Sequence, residues 1–129
     1  MKLTVGGGSG ALDEVQSALE TAWAFNAHVP GLIRMQVSIA VTEIAANIIE
    51  HARAVSFQIE VHVRPGEVEV ELTDDGHPAE IDLAAVRMPG ELAERGRGLA
   101  MAQAAVRLVS YARDELGNHW RVVSKRFSG

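Results

Sequence analysis

Apolar and polar positions change their spacing several times along this chain. Leu12, Val15, Leu19, Ala22 and Asn26 step by three and four, with Trp23 and Phe25 beside them, which predicts an amphipathic helix over 11–28. Trp23 and Phe25 cannot both point into one core from a helix, so one is expected near the rim of the buried stripe. Pro30-Gly31 ends that helix. A second is predicted from Leu32 to Ala52, where Val37, Val41, Ile44, Ile48 and Ile49 make most of the circumference apolar, as in a helix buried between a sheet and its neighbours. From Ser56 the period falls to two. Phe57, Ile59, Val61 and Val63 alternate with Gln58, Glu60, His62 and Arg64, and after Pro65-Gly66 the pattern resumes at Val68, Val70 and Leu72. This predicts a hairpin with one face buried and one wet.

The ends are less regular. Lys2 to Val5 fits a short edge strand, broken by Gly6-Gly-Gly-Ser-Gly10. That cluster lacks the Gly-Lys-Ser/Thr ending of a P-loop, so a flexible connection or an expression remnant is expected. A polar, charged loop follows Asp74 and lasts to Arg95. Leu99 to Leu108 is alanine-rich and helical by propensity, and a last hairpin is expected from Leu108 to Arg113 and His119 to Lys125. The order predicts an α+β sandwich in one domain over 1–129: about three helices on one face of a mixed, mostly antiparallel sheet.

Composition narrows the partners. The 129 residues suffice for one domain with a real core. A net charge of -5 with scattered basic residues argues against a nucleic-acid surface. With no cysteine there is no disulfide framework and no thiolate metal site, which suits a reducing compartment. No stretch approaches the ~18 consecutive apolar residues of a membrane span, and a cytoplasmic protein that touches neither membrane nor nucleic acid is expected.

Candidate chemistry gathers where polar residues interrupt this pattern. Glu43 and Asn47 lie four apart, on one face of the central helix, with His51 a further turn along. A carboxylate and a carboxamide there need a polar partner, and together they offer a base and the kind of oxygen ligand magnesium accepts beside phosphate and water. Asp74 ends a strand just before Gly76, so its carboxylate can face a cleft where backbone approaches a ligand closely. Gly96-Arg-Gly98 opens a helix, whose free N–H groups and dipole suit phosphate. Arg95 and Arg97 fit either a phosphate or a solvated surface, and His51 fits either the site or helix packing.

Taken in this order, Glu43-Ile-Ala-Ala-Asn47 with His51-Ala52, Asp74-Asp-Gly76, and Gly96-Arg-Gly98-Leu99 resemble the N box and the two glycine boxes of the GHKL, or Bergerat-fold, ATPases. The chain's size and the Glu-x-x-x-Asn-x-x-x-His-Ala form are most similar to the bacterial anti-sigma-factor serine-protein kinases. The resemblance implies a histidine-kinase-like ATPase domain that binds ATP with Mg2+. Asn47 would hold the metal, Asp74 would accept from the adenine amino group and Gly76 would admit the base. Gly96 and Gly98, with Leu99, Arg95 and Arg97 beside them, would form the phosphate site. Glu43 would be the base toward a serine or threonine hydroxyl, and 77–95 would be the ATP lid. Pro78 departs from the family pattern, which often has a second glycine there, and stiffens the start of that lid. The implied partners are a STAS-domain anti-anti-sigma protein, a sigma factor and a second copy of the chain. The alternative is a nucleotide-binding interaction module that regulates a partner without phosphoryl transfer.

Overall fold

A computed structural model of the chain describes residues 1–79 and 94–128, without the side chains of 94–97. The elements run β1 (Lys2–Gly6), α1 (Ala11–Phe25), α2 (Gly31–Asn47) continued by a π-helical turn (Ile48–Ala52), β2 (Ser56–Arg64), β3 (Glu67–Asp74), α3 (Glu94–Ala105), β4 (Leu108–Asp114) and β5 (Gly117–Val123). The strands form one sheet in the order β1-β2-β3-β5-β4. Every pairing among the described strands is antiparallel, so the expected sandwich with its mostly antiparallel sheet is present, without the parallel pair a mixed sheet would add. Two hairpins and a β1–β2 return through two helices reverse direction, and the crossover from β3 to β4 by way of α3 makes no parallel pair because β5 lies between those two strands.

One face of the sheet carries the core. Val5, Phe57, Ile59, Val61, Val68, Val70, Leu72, Trp120 and Val122 meet Val15, Leu19 and Trp23 of α1, Ile33, Val37, Val41 and Ile44 of α2, and Leu99 of α3. The buried positions of α2, Ile33, Val37, Ala40, Val41, Ile44 and Ala45, keep helical spacing. Truncating a fully buried one such as Ile44 to alanine costs about 2–5 kcal/mol. From Gly31 to Ala52 the helix runs 22 residues, contains an 18-residue window of mean hydropathy 1.4, and is long and apolar enough to cross a membrane by length and composition. The sequence count of consecutive apolar residues missed this, because the polar positions are spread around the helix. Here much of that apolar surface is buried against α1 and the sheet.

Several boundaries move for local reasons. Helix α1 stops at Phe25 rather than near residue 28, because the Asn26 side chain donates to the Ala22 carbonyl (2.8 Å) and its N–H to that of Trp23 (3.1 Å), bonds that close the helix end. Trp23 is buried in the core and Phe25 is 84% exposed. The two aromatics thus divide between core and surface, and only Phe25 is available to a partner. Helix α3 starts earlier than Leu99, with the Gly96-Arg-Gly98 turn inside it, and ends at Ala105 before Leu108 pairs with Val123 in β4. The glycine cluster after β1 is a fitted joint: Gly7 donates to the Val55 carbonyl (2.9 Å), and a Cβ on it would lie 2.6 Å from the Ala54 carbonyl oxygen.

Candidate functional site

Asn47 is the last residue of α2 proper and Glu43 sits one turn earlier. The helix then loosens into the π-turn, a distortion often found at functional sites, and Arg53 closes it with φ +54. The Ala52 carbonyl at its end accepts from the His77 N–H (2.8 Å). Gly76 lies so close that a Cβ would come within 2.3 Å of the same oxygen. Any side chain at Gly76 would push the end of β3 away from α2.

Asp74 ends β3 with its side chain on the helix-facing side of the sheet, like Leu72 and Val70. Its Oδ1 accepts from the Gly76 N–H (2.7 Å) and the Asn118 Nδ2 (2.9 Å). Asn118, 1% exposed, also donates to the His77 carbonyl (2.8 Å) and accepts from the Tyr111 hydroxyl and from Arg113 (2.9 Å). Tyr111 in turn accepts from the Ala79 N–H (2.9 Å). Asn118, Tyr111 and Arg113 thus hold Asp74 and the start of the long loop in one network. Sequence reasoning placed all three in an ordinary hairpin. Only the register, which sets Asn118 directly across from Asp74, reveals their part.

Among the described residues three buried polar side-chain atoms lack a hydrogen-bond partner, and two of them, Asn47 Nδ2 and Asp74 Oδ2, belong to the predicted motifs. Each such atom costs about 1–3 kcal/mol. A narrow crevice runs along Asn47, Ile48, His51 and Ala52 on one side and His77, Pro78 and Ala79 on the other, with Asn118 and Trp120 behind. Asp74 stands one hydrogen bond behind its wall, through Asn118.

Glu43 packs on α3. A Cβ at Gly98 would come within 2.3 Å of its Oε2, so the first motif touches the third through a glycine that leaves room for the carboxylate. Leu99 is buried in the core. Arg95, Gly96 and Arg97 fall in the first turn of α3, where their side chains are outside the described residues, as is the loop over 80–93 that makes up most of the expected lid. His51 lines the cleft, 3.8 Å from Glu50.

Residues 9–123 match a family described as the histidine kinase-like ATPase domain. The chain belongs to that family. Among solved structures, one of the RsbU and RsbW domains of a Mycobacterium tuberculosis protein is similar to this chain with a TM-score of 0.72 at 19% identity, over 98% of this chain and 31% of that one. The histidine kinase domain of a blue-light activated histidine kinase from Erythrobacter litoralis is similar with a TM-score of 0.55 at 19% identity, over 89% of this chain and 59% of that one. This chain therefore spans about a third of the first and under two thirds of the second. No curated protein matches it. As a histidine kinase-like ATPase domain it has a fold built to bind ATP, with the central helix, the end of β3 and the start of α3 around one region.

Proposed function

We propose that this chain is an ATP-dependent serine/threonine-protein kinase and anti-sigma factor in a bacterial partner-switching module. It phosphorylates a STAS-domain anti-anti-sigma protein and, when that partner is absent, holds a sigma factor. The carrying observation is the pair of unsatisfied buried atoms, Asp74 Oδ2 and Asn47 Nδ2, at the two motifs expected to hold a nucleotide. A bare carboxylate oxygen beside a glycine is an acceptor for the adenine amino group. The Asn47 carboxamide, its nitrogen unpaired, can turn either end toward a ligand: nitrogen to a phosphate oxygen, or oxygen to a cation. The carboxamide oxygen is the kind of ligand Mg2+ accepts beside phosphate and water, and the ion when bound would neutralise phosphate charge.

The chain's own residues do the rest. The start of α3 offers N–H groups and a positive dipole end to the phosphates, with Arg95 and Arg97 beside it. Glu43, packed on Gly98, stands next to that helix start and accepts the proton of the attacking serine or threonine hydroxyl. Because the cleft is narrow, nucleotide entry goes with a shift of the His77–Ala79 segment, and Pro78 limits how that segment can move. The anti-sigma part is supported by the motif resemblance and by the fold shared with a structure that contains an RsbW domain. The chain acts in the cytoplasm as a homodimer, and Phe25 offers an apolar group to the second copy.

Incubation with radiolabelled ATP and candidate STAS-domain proteins tests the proposal. Label on a partner serine or threonine is expected. ATP binding with no transfer to any STAS partner would leave the chain an interaction module.

A further inference from the structure

The sheet face turned away from the helices bears a charge pattern that nucleotide binding does not use. Glu60 and His62 alternate with the buried Ile59 and Val61 along β2, and Glu71 does so between Val70 and Leu72 along β3, so all three side chains stand on that open face. Glu60 and Glu71 are directly opposite in the β2–β3 register. Like charges in that position repel and destabilise a sheet.

The other acidic residues of this face are provided for. Glu69 is bonded by Arg64 (2.9 Å) and by Arg121, and Glu67 by Arg107 (2.6 Å). Arg121 lies directly across from Glu71 in the β3–β5 register, yet it turns to Glu69. Among the described residues Glu71 forms no ion pair, and Glu60 has only the His62 ring, with Nε2 2.9 Å from its Oε1. One ligand atom from each of Glu60, His62 and Glu71 lies within 4.8 Å of the others, and all three side chains are half-buried. Moderate side-chain adjustments would bring them to the roughly 2.0–2.2 Å bonds of zinc.

We infer that Glu60, His62 and Glu71 form a zinc site on the open face of the sheet, with water completing the coordination. One imidazole and two carboxylates suit zinc, whereas magnesium favours oxygen ligands alone. The ion takes His62 Nε2 as ligand, with the ring proton on Nδ1, and replaces the Glu60–Glu71 repulsion with two bonds that tie β2 to β3. The site lies across the sheet from Asp74 and Asn47 and is independent of ATP.

Calorimetric titration of the chelator-treated full chain with zinc chloride tests this, with thermal unfolding read in parallel. A single zinc ion should bind in the presence of excess Mg2+ and raise the unfolding temperature by linkage. His62→Ala and Glu71→Gln should each weaken binding by at least about tenfold, since losing even an outer-shell partner of a metal ligand costs about 10- to 100-fold. His119→Ala, which alters a histidine on the same face bonded to Asp114, and Asp74→Asn should leave zinc affinity unchanged. No zinc binding by the wild-type chain, or equal binding by folded His62→Ala, would overturn the inference.

Discussion

Strand β3 carries two carboxylates of nearly equal burial and opposite circumstance. Glu69, 6% exposed, faces the open side of the sheet with both oxygens taken, Oε1 by Arg64 and Oε2 by Arg121. Those guanidinium partners, Arg121 first, hold its carboxyl below the usual value of 4.5 against the opposing effect of burial. Asp74, 7% exposed, faces the helices with one oxygen bonded by neutral donors and the other bare. A saturated carboxylate has nothing left to offer and serves the fold. A half-satisfied one keeps an acceptor that a ligand donor can use, so under the proposed function the difference in partners, more than burial, separates the two roles.

The largest effect expected from breaking this comparison is on chemistry. Glu43→Ala should keep ATP affinity within a few fold yet slow phosphoryl transfer about 10²- to 10⁴-fold, the range general-base assistance supplies; single-turnover labelling of the STAS partner reads it. Transfer at the wild-type rate would remove Glu43 from the reaction.

Glu69→Gln addresses the structural carboxylate. It should lower stability by about 1–3 kcal/mol, as loss of charged hydrogen bonds does, and leave ATP affinity alone; urea unfolding and calorimetry measure the two. The pH dependence has a definite sign. A carboxyl held below its unfolded value contributes stability that is present above that value and lost as pH falls through its folded value. Wild-type stability should therefore decline below about pH 4.5, and Glu69→Gln should flatten that decline.

The smallest effect concerns the surface. Phe25→Glu should change monomer stability by no more than about 0.5 kcal/mol, as exposed substitutions do, while weakening self-association in light scattering. Trp23→Glu, by contrast, should unfold the domain, because Trp23 is in the core. A wild-type chain that stays monomeric at micromolar concentration would contradict the dimer.

The fold was legible to the extent that it rests on periodicity. The alternation from Phe57 to Leu72 located β2 and β3 with the turn at Pro65-Gly66, and the apolar positions from Val37 to Ile49 located α2 and the turn that continues it. Boundaries failed where a single local bond decided them, as Asn26 does for α1. In the site, Asp74 and Asn47 stood out because each is a polar residue in an apolar context. Asn118 did not, because its importance comes from lying opposite Asp74 across β3 and β5, and register between distant strands leaves no local signal. The tight fit of Gly7 against Ala54 was invisible for the same reason.

The proposed role of Asp74 as adenine acceptor is tested most directly by calorimetric titration of the wild type and Asp74→Asn with ATP in the presence of Mg2+. The amide replaces one acceptor oxygen with a donor, so a folded Asp74→Asn chain should bind ATP about 10- to 100-fold more weakly, the equivalent of one charged hydrogen bond. It should also lose the preference for ATP over GTP, whose base presents a carbonyl where adenine has its amino group. Unchanged ATP affinity in that variant would contradict the account.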